Sequence, residues 1–350
     1  MNRRLCGGLP RIFVVATLVL LLGGSGGSGE TEVRTVDELA RLDRLLAGGQ
    51  PELAAETARS LLESATLAER HVWQVRERLG VALLALDQPA AAVKELEAAM
   101  LDAGSDPTLH FNLGRALRRL GQRGRAVAEY AEAVALAPHR FEWRLEYADA
   151  MQELGIRRES LQQIRLARAS CGDCPEALRA EVNHHRTIGD PARSLEPLRD
   201  LYALQPVPEV RRLLVDAIWV SGDASGVATL LDSLPAASLT GPEIMILAQA
   251  DRLAADARRA TAWVRQSPPE TADGWRPDAV FWAIVSETCL QAGEPADALT
   301  AIDRAVALQA DVAIYHHNRA AILVRLGRTA EAEAALAEAR RLDPDLGETP

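Results

Sequence analysis

Between residues 73 and 346, apolar positions recur every three or four residues, the spacing that places them on one face of an α-helix. The runs are short, and glycines interrupt them on a fixed beat. Gly121, Gly155 and Gly189 are 34 residues apart and Gly222 comes 33 later; Gly80 and Gly114, and Gly293 and Gly327, are further pairs at 34. Such a period predicts a stack of two-helix units rather than one globular core. The phase gives seven units, near 73–106, 107–140, 141–174, 175–207, 208–240, 279–312 and 313–346. Two weaker units lie near 35–68, centred on Gly48-Gly49, and near 241–274, where Ala255 takes the place of the turn glycine.

The clearest unit is PTLHFNLGRALRRLGQRGRAVAEYAEAVALAPHR, from Pro107 to Arg140. Leu113-Gly114 fall in its first helix, Gly121 at the turn, and Ala126, Tyr130, Ala133 and Pro138 along and after the second. It resembles the tetratricopeptide repeat, which spreads W, L-G, Y, G, A, F, A and P over two antiparallel helices. His110 and Leu117 depart from the preferred aromatics. The last unit keeps Gly327, Ala332, Ala339 and Pro344, with Arg319-Ala320 in place of L-G, and the unit before it has Trp282, Gly293, Ala298 and Ala305. The resemblance implies an all-α fold, an α-solenoid in which helix-turn-helix repeats form a right-handed superhelix. The small residues let neighbouring helices approach, and Leu113, Leu117 and Tyr130 fill the gaps. Gly121 frees the turn, and Pro138 stops the second helix.

Residues 1–29 are of another kind. Asn2-Arg3-Arg4 and Arg11 lead into an apolar run from Ile12 to Leu22 and then a Gly/Ser stretch, Gly23 to Gly29. Basic, apolar, small is the layout of a secretory signal peptide, and the run is shorter than the roughly 20 residues of a spanning helix. The expectation is a cleaved leader and a periplasmic or secreted protein; the alternative is an uncleaved inner-membrane anchor with a Gly/Ser tether, facing the periplasm. The expected organisation is then a helical capping or degenerate repeat over 30–72, the array over 73–266, a Pro-rich loop over 267–278 (SPPETADGWRPD) and a C-terminal pair of repeats over 279–346. That loop is either a tolerated insertion or a hinge.

Composition agrees with close helix packing: hydrophobic residues are 48% and aromatics only 4%, which favours cores of Ala, Leu and Val. Abundant Ala, Leu and Arg with few Lys point to a GC-rich bacterial genome. Net charge is -10, and the first 29 residues contribute three arginines and no acid. The acidic remainder disfavours nucleic acid as a partner.

The family's ligand groove is lined by positions two, five, nine and twelve of each first helix. By that resemblance the groove here holds Phe111, Arg115 and Arg118; Glu142, Leu145, Asp149 and Gln152; Arg179, Asn183 and Arg186; and Arg212, Asp216 and Trp219. Arginine forks recognise carboxylates in two-point contacts, so the five arginines are expected to hold an acidic segment or a C-terminal carboxylate. Solvation, or pairing with Asp149 and Asp216, is the competing account. The Lys/Asn clamp of chaperone-binding members has no matching Lys.

Cys171 and Cys174 form C-G-D-C at a junction between repeats, where a disulfide is expected in an oxidising compartment. Pro175 rather than His follows, against haem attachment, and no second pair exists for zinc. Cys289 reads as a buried thiol. His184-His185 and His316-His317 are adjacent on helices, so the members of each pair point apart. No phosphate loop, nucleophile elbow or H-E-x-x-H is present. The expected function is therefore a non-enzymatic interaction scaffold or adaptor of the bacterial cell envelope with a protein or peptide partner. No cofactor and no small-molecule substrate are expected. A thiol–disulfide redox protein and a membrane-anchored assembly factor are the alternatives.

Overall fold

One backbone event recurs through the chain and sets its architecture. In the computed structural model, which describes residues 28–64, 67–268 and 271–346, nine two-helix hairpins each turn on one left-handed residue. These residues are Gly49, Asp87, Gly121, Gly155, Gly189, Gly222, Ala255, Gly293 and Gly327, with φ from 50° to 82°. At the turn of the clearest repeat, Gly121 N–H donates to Arg118 O at 3.0 Å and Gln122 N–H to Leu117 O at 2.9 Å. These bonds occupy carbonyls that the helix end would leave open. The turn without glycine repeats them, with Ala255 N–H on Arg252 O at 3.2 Å and Asp256 N–H on Asp251 O at 2.9 Å. The period is therefore a property of the turn.

The chain divides into two compact units, one ending at Pro138 and the other beginning at His139. This boundary lies inside the array expected over 73–266, and not at the Pro-rich loop. The first unit holds α1 (Ser28–Ala47), α2 (Pro51–Glu63), α3 (Val72–Ala85), α4 (Pro89–Ala103), α5 (Pro107–Arg119) and α6 (Arg123–Leu136). The leader expected over 1–29 lies outside the described residues except for Ser28 and Gly29, which already belong to α1. The second unit holds α7 (Phe141–Glu153), α8 (Arg157–Cys171), α9 (Pro175–Thr187), α10 (Leu195–Leu204), α11 (Pro208–Val220) and α12 (Ala224–Asp232). It continues with α13 (Gly241–Ala254), α14 (Arg258–Gln266), α15 (Ala279–Gln291), α16 (Pro295–Leu308), α17 (Ala313–Arg325) and α18 (Thr329–Leu342). There is no strand among the described residues.

Within a hairpin the seam is made of small residues. In α5–α6, Leu113, Ala126, Tyr130 and Ala133 are buried, and a Cβ on Gly114 would lie 3.0 Å from the Tyr130 ring. Only a glycine lets the ring sit there without displacement. Elsewhere the seam admits serine, provided its hydroxyl has an acceptor. Buried Ser160 donates to Ala148 O at 2.9 Å, and buried Ser286 to Ala298 O at 2.8 Å. Helix starts are set by proline in the first turn of α5, α9, α11 and α16. At α5 the Asp106 carboxylate also accepts from Thr108 N–H at 2.8 Å and Leu109 N–H at 3.3 Å.

The middle of the second unit departs from this plan. Helices α12 and α14 have nine residues each, where α6, α16 and α18 have 14. The shortening leaves a cavity of about 570 Å³ over Leu231, Leu239, Ile244, Leu247 and Trp263. With less helix to pack, ion pairs and a loop close the hairpins. Asp273 in the Pro-rich loop accepts from Gly241 N–H at 3.1 Å, Ala272 N–H donates to Leu239 O at 2.8 Å, and Trp275 stands edge-on to Phe281 at 5.4 Å. This part of the loop is fastened to the start of α13.

Candidate functional site

The residues expected to line a groove fall into both units. In the first, Phe111 is half-buried and packs against Tyr130, ring centres 5.7 Å apart. The Arg115 guanidinium lies 5.9 Å above the Phe111 ring, a cation–π distance that fixes its direction. Arg118, also half-buried, is engaged within the protein.

The same helix face of the preceding hairpin is acidic. Buried Asn112 donates to Glu77 Oε1 at 3.1 Å, and Arg78 holds Asp43 through Nε at 2.8 Å and Nη2 at 3.0 Å. Burial raises the Glu77 carboxyl above its ordinary value; Arg78 pulls it back and Asp106 adds to the rise. A cavity of about 400 Å³ opens here, lined by Trp73, Gln74, Glu77, Asp106 and Thr108. Sequence reasoning missed Glu77, although it lies 34 residues before Phe111, and carrying the groove positions back by one unit reaches it.

In the second unit Arg179, Asn183 and Arg186 on α9, and Arg212 and Asp216 on α11, are exposed, while Trp219 is half-buried. Arg179 hydrogen-bonds the neutral side chain of Gln205. Neither Arg186 nor Arg212 makes an ion pair among the described residues. Their neighbours contrast with them. Arg168 ties together Asp173, Glu181 and Asp200, and Arg259 grips buried Asp251 through Nε and Nη2, both at 2.8 Å. Arg211, one residue before Arg212, is 5% exposed and makes a two-point bond to Glu243, itself 2% exposed, at 2.6 and 2.9 Å. Hydrogen bonding to Glu243 raises Arg211 above the ordinary arginine value, against the opposing effect of burial. Position in the hairpin thus separates two adjacent arginines, one turned into the stack and one to solvent.

Cys171 closes α8 and Cys174 caps α9; the two are joined as a disulfide with Cα atoms 5.5 Å apart. Gly172 and Asp173 between them are both left-handed, with φ of 69° and 60°. Cys289 is fully buried and its thiol is pushed up to about 12, chiefly by desolvation, so it stays protonated and unreactive at neutral pH. His184 and His185 are buried, and desolvation lowers both. His316 bonds Ala310 O at 2.8 Å. Among the described residues no group of three or more His, Cys, Asp or Glu side chains is placed to hold a metal, and no helix is long and apolar enough to cross a membrane.

With the hairpins in view, comparison with known proteins finds the repeat in two stretches of the chain. The tetratricopeptide-repeat family model matches residues 107–140, and a second tetratricopeptide model matches 290–346. The chain carries tetratricopeptide repeats over these two stretches. Its fold belongs to the all-α solenoid class that the period predicts. Similar solved structures include a tetratricopeptide repeat protein from Parabacteroides merdae (12% identity, 87% of this chain and 98% of that one, TM-score 0.46). YrrB, described as a TPR protein with an unusual peptide-binding site, is 17% identical over 53% of this chain and 95% of its own, with TM-score 0.42. MamA of AMB-1 is 16% identical over 50% and 93%, with TM-score 0.41. No curated protein matches the chain.

Proposed function

We propose that this chain is a non-catalytic adaptor of the bacterial cell envelope that holds an acidic peptide segment, or a C-terminal carboxylate, against the first helices of its second unit. The observation that carries this reading is the state of three arginines. Arg186 and Arg212 are exposed without an ion pair among the described residues, and Arg179 bonds only a neutral amide, whereas Arg168, Arg211 and Arg259 nearby are tied to carboxylates. A guanidinium with open donors is the group that fits a carboxylate in two-point geometry. In the first unit, Arg115 on Phe111 offers a similar if smaller feature. The envelope location rests on the basic–apolar–small layout of residues 1–29 and on the cysteine pair.

Titration with a fluorescent Glu-rich synthetic peptide tests the reading. Binding should weaken with added salt and be lost in the double variant Arg179→Glu, Arg212→Glu. Full retention in that variant would remove the arginines from the site. A second reading, thiol–disulfide exchange, has the Cys171–Cys174 bond in its favour. A reductase assay comparing the native chain with Cys171→Ser decides it, equal activity ending that reading.

A further inference from the structure

Among the described residues, only the junction between α8 and α9 bends through two successive left-handed residues, Gly172 and Asp173, with φ of 69° and 60°. Glycine takes that backbone freely, whereas a residue with a side chain takes it at a cost, so something must hold Asp173 there. Two restraints do. The Cys171–Cys174 bond closes over the pair, and Cys174 N–H donates to Cys171 Sγ at 3.3 Å. The other restraint is Arg168, in the last turn of α8. It bonds the Asp173 carboxylate through Nε, Glu181 Oε2 through Nη1 at 3.1 Å and Asp200 Oδ2 through Nη2 at 2.6 Å. One guanidinium thus ties the loop to α9 and α10.

The loop is also where a reductant can reach. Cys171 and Cys174 are half-buried and the two residues between them exposed, whereas Cys289 is fully buried with its thiol held protonated. A dithiol that attacks this bond supplies two electrons. The S–S bond breaks, each sulfur takes up one proton, and the attacking dithiol leaves as its own disulfide. The covalent restraint on Asp173 is then gone. Cys174, the residue before α9, is freed, and with it the first turn of that helix, Pro175 to Leu178. The next residue is Arg179, one of the exposed arginines assigned above to a carboxylate partner; Arg212 belongs to α11.

We propose that Cys171–Cys174 is a reversible redox site that sets the affinity of this face for an acidic peptide. Closed, it fixes the start of α9 and presents Arg179; opened by a dithiol, it lets that start fray and weakens the grip. The proposal rests on the arginine reading above. It differs from thiol–disulfide exchange in that the pair receives electrons without passing them to a substrate.

The test titrates the fluorescent Glu-rich peptide against the full chain, oxidised and after dithiothreitol, with alkylation and mass analysis showing which cysteines have opened. Reduction should weaken binding about fivefold, and reoxidation should restore it. The double variant Cys171→Ser, Cys174→Ser should bind as the reduced chain does and ignore the reductant. Arg179→Glu should bind weakly and equally in both states, and Arg212→Glu weakly but still with a redox response. Amide hydrogen exchange gives a readout independent of the peptide: reduction should speed exchange between Gly172 and Arg179 roughly tenfold and leave α11 unchanged. Equal, measurable binding by the oxidised and reduced chains overturns the redox site and leaves the arginine reading in place. A redox response that survives Arg179→Glu, or exchange quickened alike from α7 through α12, makes the bond a general staple and overturns the proposal too. No binding by either form overturns the arginine reading, and the proposal with it.

Discussion

The α5–α6 hairpin and the α13–α14 hairpin make the same left-handed turn and are held shut by different chemistry. In α5–α6, Gly114, Ala126 and Ala133 bring two long helices together around the Tyr130 ring, and dispersion between close-packed atoms does the work. In α13–α14 the second helix is nine residues long and the small-residue seam is incomplete. There Asp251 is tied to Arg259, Glu243 reaches back to Arg211 on α11, and Asp273 caps the start of α13. Where helix length runs out, charge and loop contacts replace it. The two solutions fail differently when disturbed. An apolar seam is sensitive to volume, and a buried ion pair to the loss of either member.

The largest effect should come from the ionic hairpin. Glu243→Ala leaves the Arg211 guanidinium buried without its counter-charge and also strips Thr240 N–H of its 2.8 Å acceptor. We expect a loss of about 3–5 kcal/mol. Urea unfolding followed by tryptophan fluorescence reads it, since Trp219, Trp263, Trp275 and Trp282 all lie in this unit. Replacing both partners with Met and Leu should recover most of the loss, because two well-packed apolar chains carry no desolvation cost. A loss below 1 kcal/mol for Glu243→Ala would mean that water reaches Arg211.

The apolar hairpin should respond next. Ala126 is fully buried, and Ala126→Leu forces a branched side chain into the seam for a cost of about 1–3 kcal/mol. Unchanged thermal unfolding of that variant would contradict the packing register. Reduction of Cys171–Cys174 comes third. A loop of sequence separation 3 is short, and its closure entropy is worth at most about 2 kcal/mol. Melting temperature measured with and without a dithiol reductant checks it, and a shift comparable to that of Glu243→Ala would assign the disulfide a much larger part in holding α8 to α9.

The comparison also explains what could be read in advance. The regular hairpins were legible because their seam is local: Gly114, Ala126 and Gly121 belong to one 34-residue stretch, and the period exposes them. The exposed arginines were legible for the same reason, as Arg179, Arg186 and Arg212 hold fixed places in a helix whose phase is known. The ion pairs were not. Arg211 and Glu243 are 32 residues apart in different hairpins, and nothing in either segment says that they meet. The fastening of the Pro-rich loop is equally hidden, because Asp273 finds Gly241 only after α13 and α14 have folded between them. Nor does composition mark Pro138 and His139 as the place where the two units part.

The smallest predicted effect tests the turn that both hairpins share. Ala255 holds φ of 50° at the place where seven other turns carry glycine. A left-handed conformation costs an alanine about 1–2 kcal/mol, whereas glycine adopts it freely. Glycine also gives the unfolded chain more freedom, which returns roughly 0.4–1 kcal/mol of that gain. Ala255→Gly should therefore stabilise the second unit by roughly 0.5–1 kcal/mol, the difference between these two effects. Asp87→Gly, at the equivalent turn of the first unit with φ of 56°, should gain less, because a short polar side chain tolerates this conformation better than alanine does. If Ala255→Gly is neutral and Asp87→Gly stabilising, the order of strain is reversed. The α13–α14 turn would then be relaxed by the ionic contacts around it, rather than by its own residue.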